Sequence, residues 1–359
     1  MHPLFSQVFT RTLENVMTNL TRASKQLFLR PDDERFESFD SLLTACEKRR
    51  DESDAAWKVP GELEPISLPW GVAIEADSSG RSLNLNDWSF SQVCQLSRVQ
   101  KETVNRLSPD TATAVFKETF PGGTKPMQLL TRGDQLRSIH GASYTRLFDV
   151  DLLEMVQETA DNFTPPPVGM NGGTGLYSGE QDTFAFLIDD SAWVEIDGED
   201  FAPGFFVWNS EVGRRSVGME TFWFQRICQN HIDWGANEVV TYSRKHTANV
   251  GAALTEIQQV LQQLIGTRNE RRDAFAKTIK SAMDLRIGDD AEEAAKTLSK
   301  QGIPIGFVKE AVKETSEKGS PFTLFGMDDS LTRLTGRMKF AGDRSDQDRK
   351  IGSLLSLAS

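Results

Sequence analysis

Residues 205–228 read "FFVWNSEVGRRSVGMETFWFQRIC", and two adjacent cations, Arg214 and Arg215, sit between two groups of aromatic side chains: Phe205, Phe206 and Trp208 before them, Phe222, Trp223 and Phe224 after. A third arginine, Arg226, follows at once, and "YSRKH" at 242–246 adds Arg244 and Lys245. Aromatic rings beside guanidinium and ammonium groups suit a single-stranded nucleic acid, because bases stack on the rings while the cations follow the phosphates. Arg214, Arg215, Arg226, Arg244 and Lys245 are therefore candidate phosphate contacts, with Trp208 or Trp223 as the base-stacking surface. Composition alone favours a plainer origin, in which the aromatics are sheet core and the arginines cap an exposed hairpin. Asn209 and Glu211 fall at the tip of that hairpin and are expected to project from it.

Other chemistries find less support in the residue pattern. Only His140, His231 and His246 are available beyond His2, and no GxSxG elbow occurs, so Ser-His hydrolysis is not indicated. Cys228 and His231 stand as CxxH, but no second Cys/His pair follows at the spacing of a structural zinc site. The carboxylates Asp182, Asp189, Asp190, Glu195, Asp197, Glu199 and Asp200 are of the type that holds a hard cation, the basis of an alternative reading as a metal-dependent nuclease. Asp189-Asp190 and "DGED" nevertheless fall where turns are expected, and turns select Asp and Gly for backbone reasons. "MNGGTGLYSG" is glycine-rich yet lacks the Lys-Ser/Thr ending of a phosphate loop. No metal and no cofactor is predicted.

Net charge is −12 over 359 residues, so contact with a phosphate backbone requires a local basic surface. Charge is segregated: residues 160–204 contain nine Asp or Glu and no Lys, Arg or His. The three cysteines, Cys46, Cys94 and Cys228, are odd in number and far apart, which fits ordinary thiols in a reducing compartment. Without a secretory signal pattern or a membrane-length apolar run, the chain reads as cytoplasmic.

Three regions must position the candidate residues. Residues 1–65 read as a helical arm and linker: Phe5, Phe9, Leu13, Val16 and Leu20 recur at spacings of three and four, and charge runs and prolines follow Pro31. Such an arm has the pattern to pack on the body or on a neighbouring subunit. Residues 66–285 read as an α+β core. In it "WGVAIEADSSGRSLNL" forms a hairpin, Ser97 caps a second helix and Ser108-Pro109 a third, and "RGD" at 132–134 turns between two strands. The strands at 183–247 form an antiparallel sheet, covered by one long helix at 248–283. In "SVGMETFWFQRIC" both faces carry aromatics, which marks a central strand. Residues 286–359 read as short helices and a loose tail.

"GLYSGEQDTFAFLIDD", "GFFVWNSEVGRRSVGMETFWFQRICQNHIDWGA" and "LLTRGDQLRSIHGASYTRLFDVDLLEMV" resemble a family of phage- and plasmid-associated proteins grouped as domain of unknown function number 932. The similarity is most specific in "WNSEVG" and "CQNHIDWGA", and extends more loosely over residues 70–315. It implies a protein of a mobile element, without catalytic residues to carry over. A strand-rich core followed by a helix is also similar in plan to single-strand annealing proteins. The expectation is a single-stranded DNA binding or annealing accessory protein, homo-oligomeric and non-enzymatic. A metal-dependent enzyme acting on nucleic acid and a structural or protein-interaction module are the alternatives.

Overall fold

The computed structural model describes residues 31–76, 81–166, 175–225, 230–232, 241–317, 320–335 and 350–358. The helical arm expected at residues 4–29 lies outside them, as do Arg226 and Cys228. Helix α1 (Phe39–Asp51) starts at a capping box, in which Ser38 and Ser41 each accept the other's backbone N–H. Leu42 and Cys46 of α1 enter the core, and the chain continues directly into β1 (Ser53–Lys58). Residues 39–58 are thus integral to the fold rather than a linker, because the apolar stripe of α1 finds a sheet to cover.

Strands β2 (Glu64–Leu68), β3 (Gly71–Glu75) and β4 (Ser82–Leu85) lead into helices α2 (Asp87–Leu96), α3 (Lys101–Val104) and α4 (Pro109–Thr119). Strands β5 (Met127–Arg132) and β6 (Gln135–Gly141) then close a six-strand sheet of order β1-β5-β6-β4-β3-β2. Its one parallel pairing, β4 with β6, makes the sheet mixed. Ser108 caps α4 with Pro109 at the first helical position, as expected. Ser97 instead ends α2: Arg98 turns into the left-handed region at φ 57°, and the next helix begins only at Lys101.

Helix α5 (Asp149–Thr159) crosses to a second sheet. It comprises β7 (Phe163–Thr164), β8 (Leu176–Ser178), β9 (Thr183–Asp189), β10 (Val194–Ile196), β11 (Glu199–Asn209), β12 (Val217–Gln225), β13 (Asn230–Ile232) and β14 (Thr241–Arg244). All its pairings are antiparallel, and β12 is central, flanked by β11 on one side and by β13 and β14 on the other. Every residue of β12 is buried. The odd-numbered face, including Leu187, Phe205, Val207 and Met219, packs with α5 and with Ile257 and Leu261 of α6 (Ala252–Gly266). The even-numbered face carries Phe184, Phe186, Phe206, Phe222 and Phe224.

The expected long helix at 248–283 is two. Thr267 leaves helical geometry at φ −105°, ψ 10°, and its hydroxyl donates to the Gln263 carbonyl at 2.8 Å before α7 (Arg268–Asp284) begins. Helix α6 covers the sheet, whereas α7 joins α8 (Ala291–Lys300), α9 (Ile305–Glu317) and α10 (Leu324–Thr335) in a helical region. Phe201 and Trp223 at one end of the odd face complete that region's core, with the Trp223 ring stacked on Phe275 at 4.0 Å. Among the described residues no helix is long and apolar enough to cross a membrane.

Candidate nucleic-acid interface and the ionic cluster behind it

The connection from β11 to β12 is a tight loop. Gly213 N–H donates to the Ser210 carbonyl at 2.9 Å, and the Ser210 hydroxyl accepts from Arg214 N–H at 2.8 Å while donating to the Gln181 carbonyl at 2.5 Å. Gly213 has φ 74°, and a Cβ there would meet the His140 ring at 2.6 Å, so both backbone and space select glycine. The Glu211 and Val212 carbonyls are engaged by side chains from α2, β6 and the segment that follows β6. Val212 accepts from the Trp88 indole at 2.7 Å and from His140 Nε2 at 2.9 Å, which assigns the His140 proton to Nε2. Glu211 O accepts from Tyr144 Oη at 2.9 Å and from Arg146. The loop is therefore clamped, not a free tip.

Asn209 and Glu211 correct the expectation that they project into solvent: they are 0% and 2% exposed. The twofold strand alternation ends at Asn209, and the loop then folds inward onto charges from three other elements. Glu211 Oε1 lies 2.7 Å from Arg137 Nη2 of β6 and 3.7 Å from Arg49 Nε of α1. Glu211 Oε2 accepts from the Asp149 N–H at the start of α5 at 3.3 Å. The Asp149 carboxylate accepts from Asn209 Nδ2 at 2.8 Å and Thr183 Oγ1 at 2.8 Å, and lies 3.9 Å from Arg49. Arg49 also donates to Ser178 Oγ and to the Gly179 carbonyl. Two guanidinium groups and two carboxyl groups thus meet inside the molecule.

Their protonation equilibria are driven apart. Burial, with the neighbouring Glu211 charge, pushes Asp149 up to about 7. Burial opposes the Glu211 charge too, but Arg137 and Arg49 outweigh it and hold that carboxyl below the usual range. Carboxylates split in this way occur at acid/base sites. Here both are almost wholly enclosed and engaged by fixed partners, so the arrangement holds the sheets and α1 together. Beside it, His140 stacks on Tyr144 at 3.7 Å, and Tyr144 on His246 at 5.5 Å. Burial, helped by the neighbouring Arg146 charge, lowers both imidazoles to about 4.

Past the loop, the expected cations converge. The β12–β14 register sets Arg244 opposite Val217, and Ser216 and Ser243 hydroxyls lie 2.7 Å apart, so Arg214-Arg215 and Arg244-Lys245 meet at one end of the sheet. Arg214 is exposed and lies over the Trp88 ring at 5.1 Å. Lys245 is exposed. Arg215 pairs with buried Asp182 at 3.0 Å and lies over the Phe184 ring at 5.4 Å. Arg244 pairs with Glu256 at 2.6 Å.

Trp208 is half-buried at the same end of the sheet, lying across Gly218, where a Cβ would meet its ring at 2.4 Å. Trp223 is excluded as a stacking surface, because at 2% exposure its ring belongs to the core against Phe275. The expectation that either tryptophan stacks a base narrows to Trp208. Arg226 lies outside the described residues.

Of the carboxylates behind the metal-enzyme alternative, Asp182, Asp189, Asp190 and Glu199 are engaged in turns and pairs. Asp189 accepts from the Ser191 hydroxyl at 2.6 Å and from Arg268 at 3.0 Å, and Asp190 accepts from the Trp193 indole at 2.7 Å. Among the described residues no group of three or more His, Cys, Asp or Glu is placed to hold a metal ion.

Sequence reasoning missed Arg49, Arg137 and Asp149. One signal was present: Arg49 falls on the helical stripe of Leu42 and Cys46, at spacings of four and three, where a charge needs a buried partner. Comparison of the chain with family models, with curated proteins and with solved structures finds no match in any of the three.

Proposed function

We propose that this protein binds single-stranded DNA, as a binding or annealing accessory of a phage, plasmid or other mobile element. The β12–β14 register supports this reading most directly, since it gathers four cations distant in sequence beside the half-buried Trp208 ring. Phosphates would follow Arg214, Lys245, Arg244 and Arg215, with Trp208 stacking a base. Homo-oligomerisation belongs to the same proposal. The mobile-element context rests on the resemblance of "WNSEVG" and "CQNHIDWGA" alone.

Arg215 is a poor probe, because removing it takes a partner from buried Asp182. The informative variant is Arg214→Ala/Lys245→Ala, titrated with a fluorescent single-stranded oligonucleotide by polarisation at several salt concentrations. The expected result is weaker binding with a salt slope shallower by about 1.4, at ~0.7 per lost phosphate contact. No polarisation change with the unaltered protein at low salt would sink the proposal and leave a structural or protein-interaction module. The clamped loop at Asn209–Glu211, which ties elements together without an open site, favours that second reading.

A further inference from the structure

The six-strand sheet ends in β1 on one side and β2 on the other, and the two edges are finished differently. Strand β2 carries Pro65, which has no N–H to offer, and it packs with α4: Lys117 Nζ pairs with Glu64 Oε1 at 2.7 Å, and Ser67 Oγ donates to Asp110 Oδ1 at 2.5 Å. Strand β1, Ser53-Asp54-Ala55-Ala56-Trp57-Lys58, has no such protection. It contains no proline, and its register with β5 is unbroken from Ser53↔Arg132 to Lys58↔Met127. Asp54, Ala55, Ala56 and Trp57 are all exposed, Trp57 by 52%. Among the described residues β5 is the only strand beside it, so alternate residues of β1 direct N–H and C=O groups away from the sheet.

We infer that a second copy of this chain pairs at this edge, β1 to β1 in antiparallel register about Ala56, joining the two six-strand sheets into one. Directly opposed residues of an antiparallel pair turn their backbone groups either both towards each other or both away. A twofold axis must therefore set one residue opposite its own copy, not opposite its chain neighbour. With Ala56 at the axis, Asp54 of each copy lies opposite Lys58 of the other on one face, and only two methyl groups meet between these pairs. On the other face Trp57 lies opposite Ala55, a large side chain over a small one. Each pair occurs twice. An axis at Ala55 sets Asp54 against Ala56, and one at Trp57 sets Lys58 against Ala56, so both forfeit the ion pair.

The charges are available for this pairing. Asp54 is exposed and Lys58 half-buried, and neither has an ion-pair partner among the described residues. The inference rests on the homo-oligomeric part of the proposal above, for which it names the surface and the register, and does not depend on DNA binding.

The test is sedimentation velocity of the full chain without nucleic acid, at low ionic strength and over about a hundredfold range of concentration. The parent is expected to pass from monomer to dimer. Asp54→Lys and Lys58→Asp each set like charges opposite each other twice, and each variant alone should dimerise about tenfold or more weakly. Mixed in equal amounts the two variants become complementary, and the mixture should regain the parent's dimer. The doubly exchanged chain, Asp54→Lys/Lys58→Asp, should dimerise as the parent does. Single variants that dimerise like the parent overturn the inference and leave homo-oligomerisation to another surface. Weakened single variants that neither the mixture nor the double exchange restores overturn it as well. A parent that stays monomeric throughout overturns the inference together with homo-oligomerisation.

Discussion

Asn209 and Glu211 lie within six residues of Arg214 and Arg215, yet the two pairs have opposite fates. The first pair is enclosed, with Glu211 held by Arg137 and Arg49 and Asn209 by Asp149. The second pair stands at the sheet's rim, where Arg214 is exposed and Arg215 half-buried. Charge type does not determine what a residue does here; the dielectric around it does. An ionised group in the interior must be matched by fixed partners, whereas the same group at the rim remains available to a ligand.

This contrast can be broken most forcefully at Glu211. Glu211→Ala would leave Arg137 and Arg49 buried without their shared anion, and stability in urea denaturation should fall by about 3–5 kcal/mol. Replacing both members, as in Arg137→Met/Glu211→Leu, should recover much of that loss, and a double-mutant cycle measures the coupling.

A second test lies at the boundary between the two regions. Gly218→Val would drive a side chain into the Trp208 ring and the Tyr242 carbonyl, which lie 2.4 Å and 2.5 Å from a Cβ. It should destabilise by about 1–3 kcal/mol and shift Trp208 fluorescence.

The pH dependence sharpens the comparison further. His140 and His246 are lowered from 6.5 to about 4 in the folded protein, so the stability they contribute is present above pH 6.5 and is lost as pH falls towards 4. Asp149 acts in the opposite sense. Its pKa is raised from 3.8 to about 7, so its contribution is complete below pH 3.8 and is lost as pH rises through 7. Asp149→Asn removes the opposing trend, and urea midpoints measured from pH 4.5 to 7.5 should rise more steeply with pH than in the parent. An unchanged profile would show that Asp149 is ionised throughout.

The smallest effect is expected at the rim. Arg214→Ala and Lys245→Ala should each change stability by no more than about 0.5 kcal/mol, since both side chains are exposed and neither has a buried ionic partner among the described residues. A larger loss would mean that the rim, too, is structural.

Much of the element order was legible in the residues. Alternation placed β9, β11, β12 and β14, and Ser108-Pro109 placed the start of α4, because these signals are local and periodic. The segment at 39–58 was not legible as part of the fold, since α1 buries Leu42 and Cys46 only against elements distant in sequence, and β1, whose apolar side chains stay exposed, is placed by its pairing with β5. Nor was the break at Thr267, where one hydroxyl competes for the Gln263 carbonyl.

For the candidate site, sequence by itself determined the residue types: an aromatic hairpin, five cations (Arg214, Arg215, Arg226, Arg244 and Lys245), and an acidic segment before them. Tertiary structure decided which of them are accessible. It buried Trp223 against Phe275, folded Asn209 and Glu211 inward onto Arg49 and Arg137, and left Arg214 and Lys245 outside. The physical reason is that desolvation depends on everything packed around a group. For Glu211 those neighbours come from α1, β6 and α5, none of them adjacent in the chain.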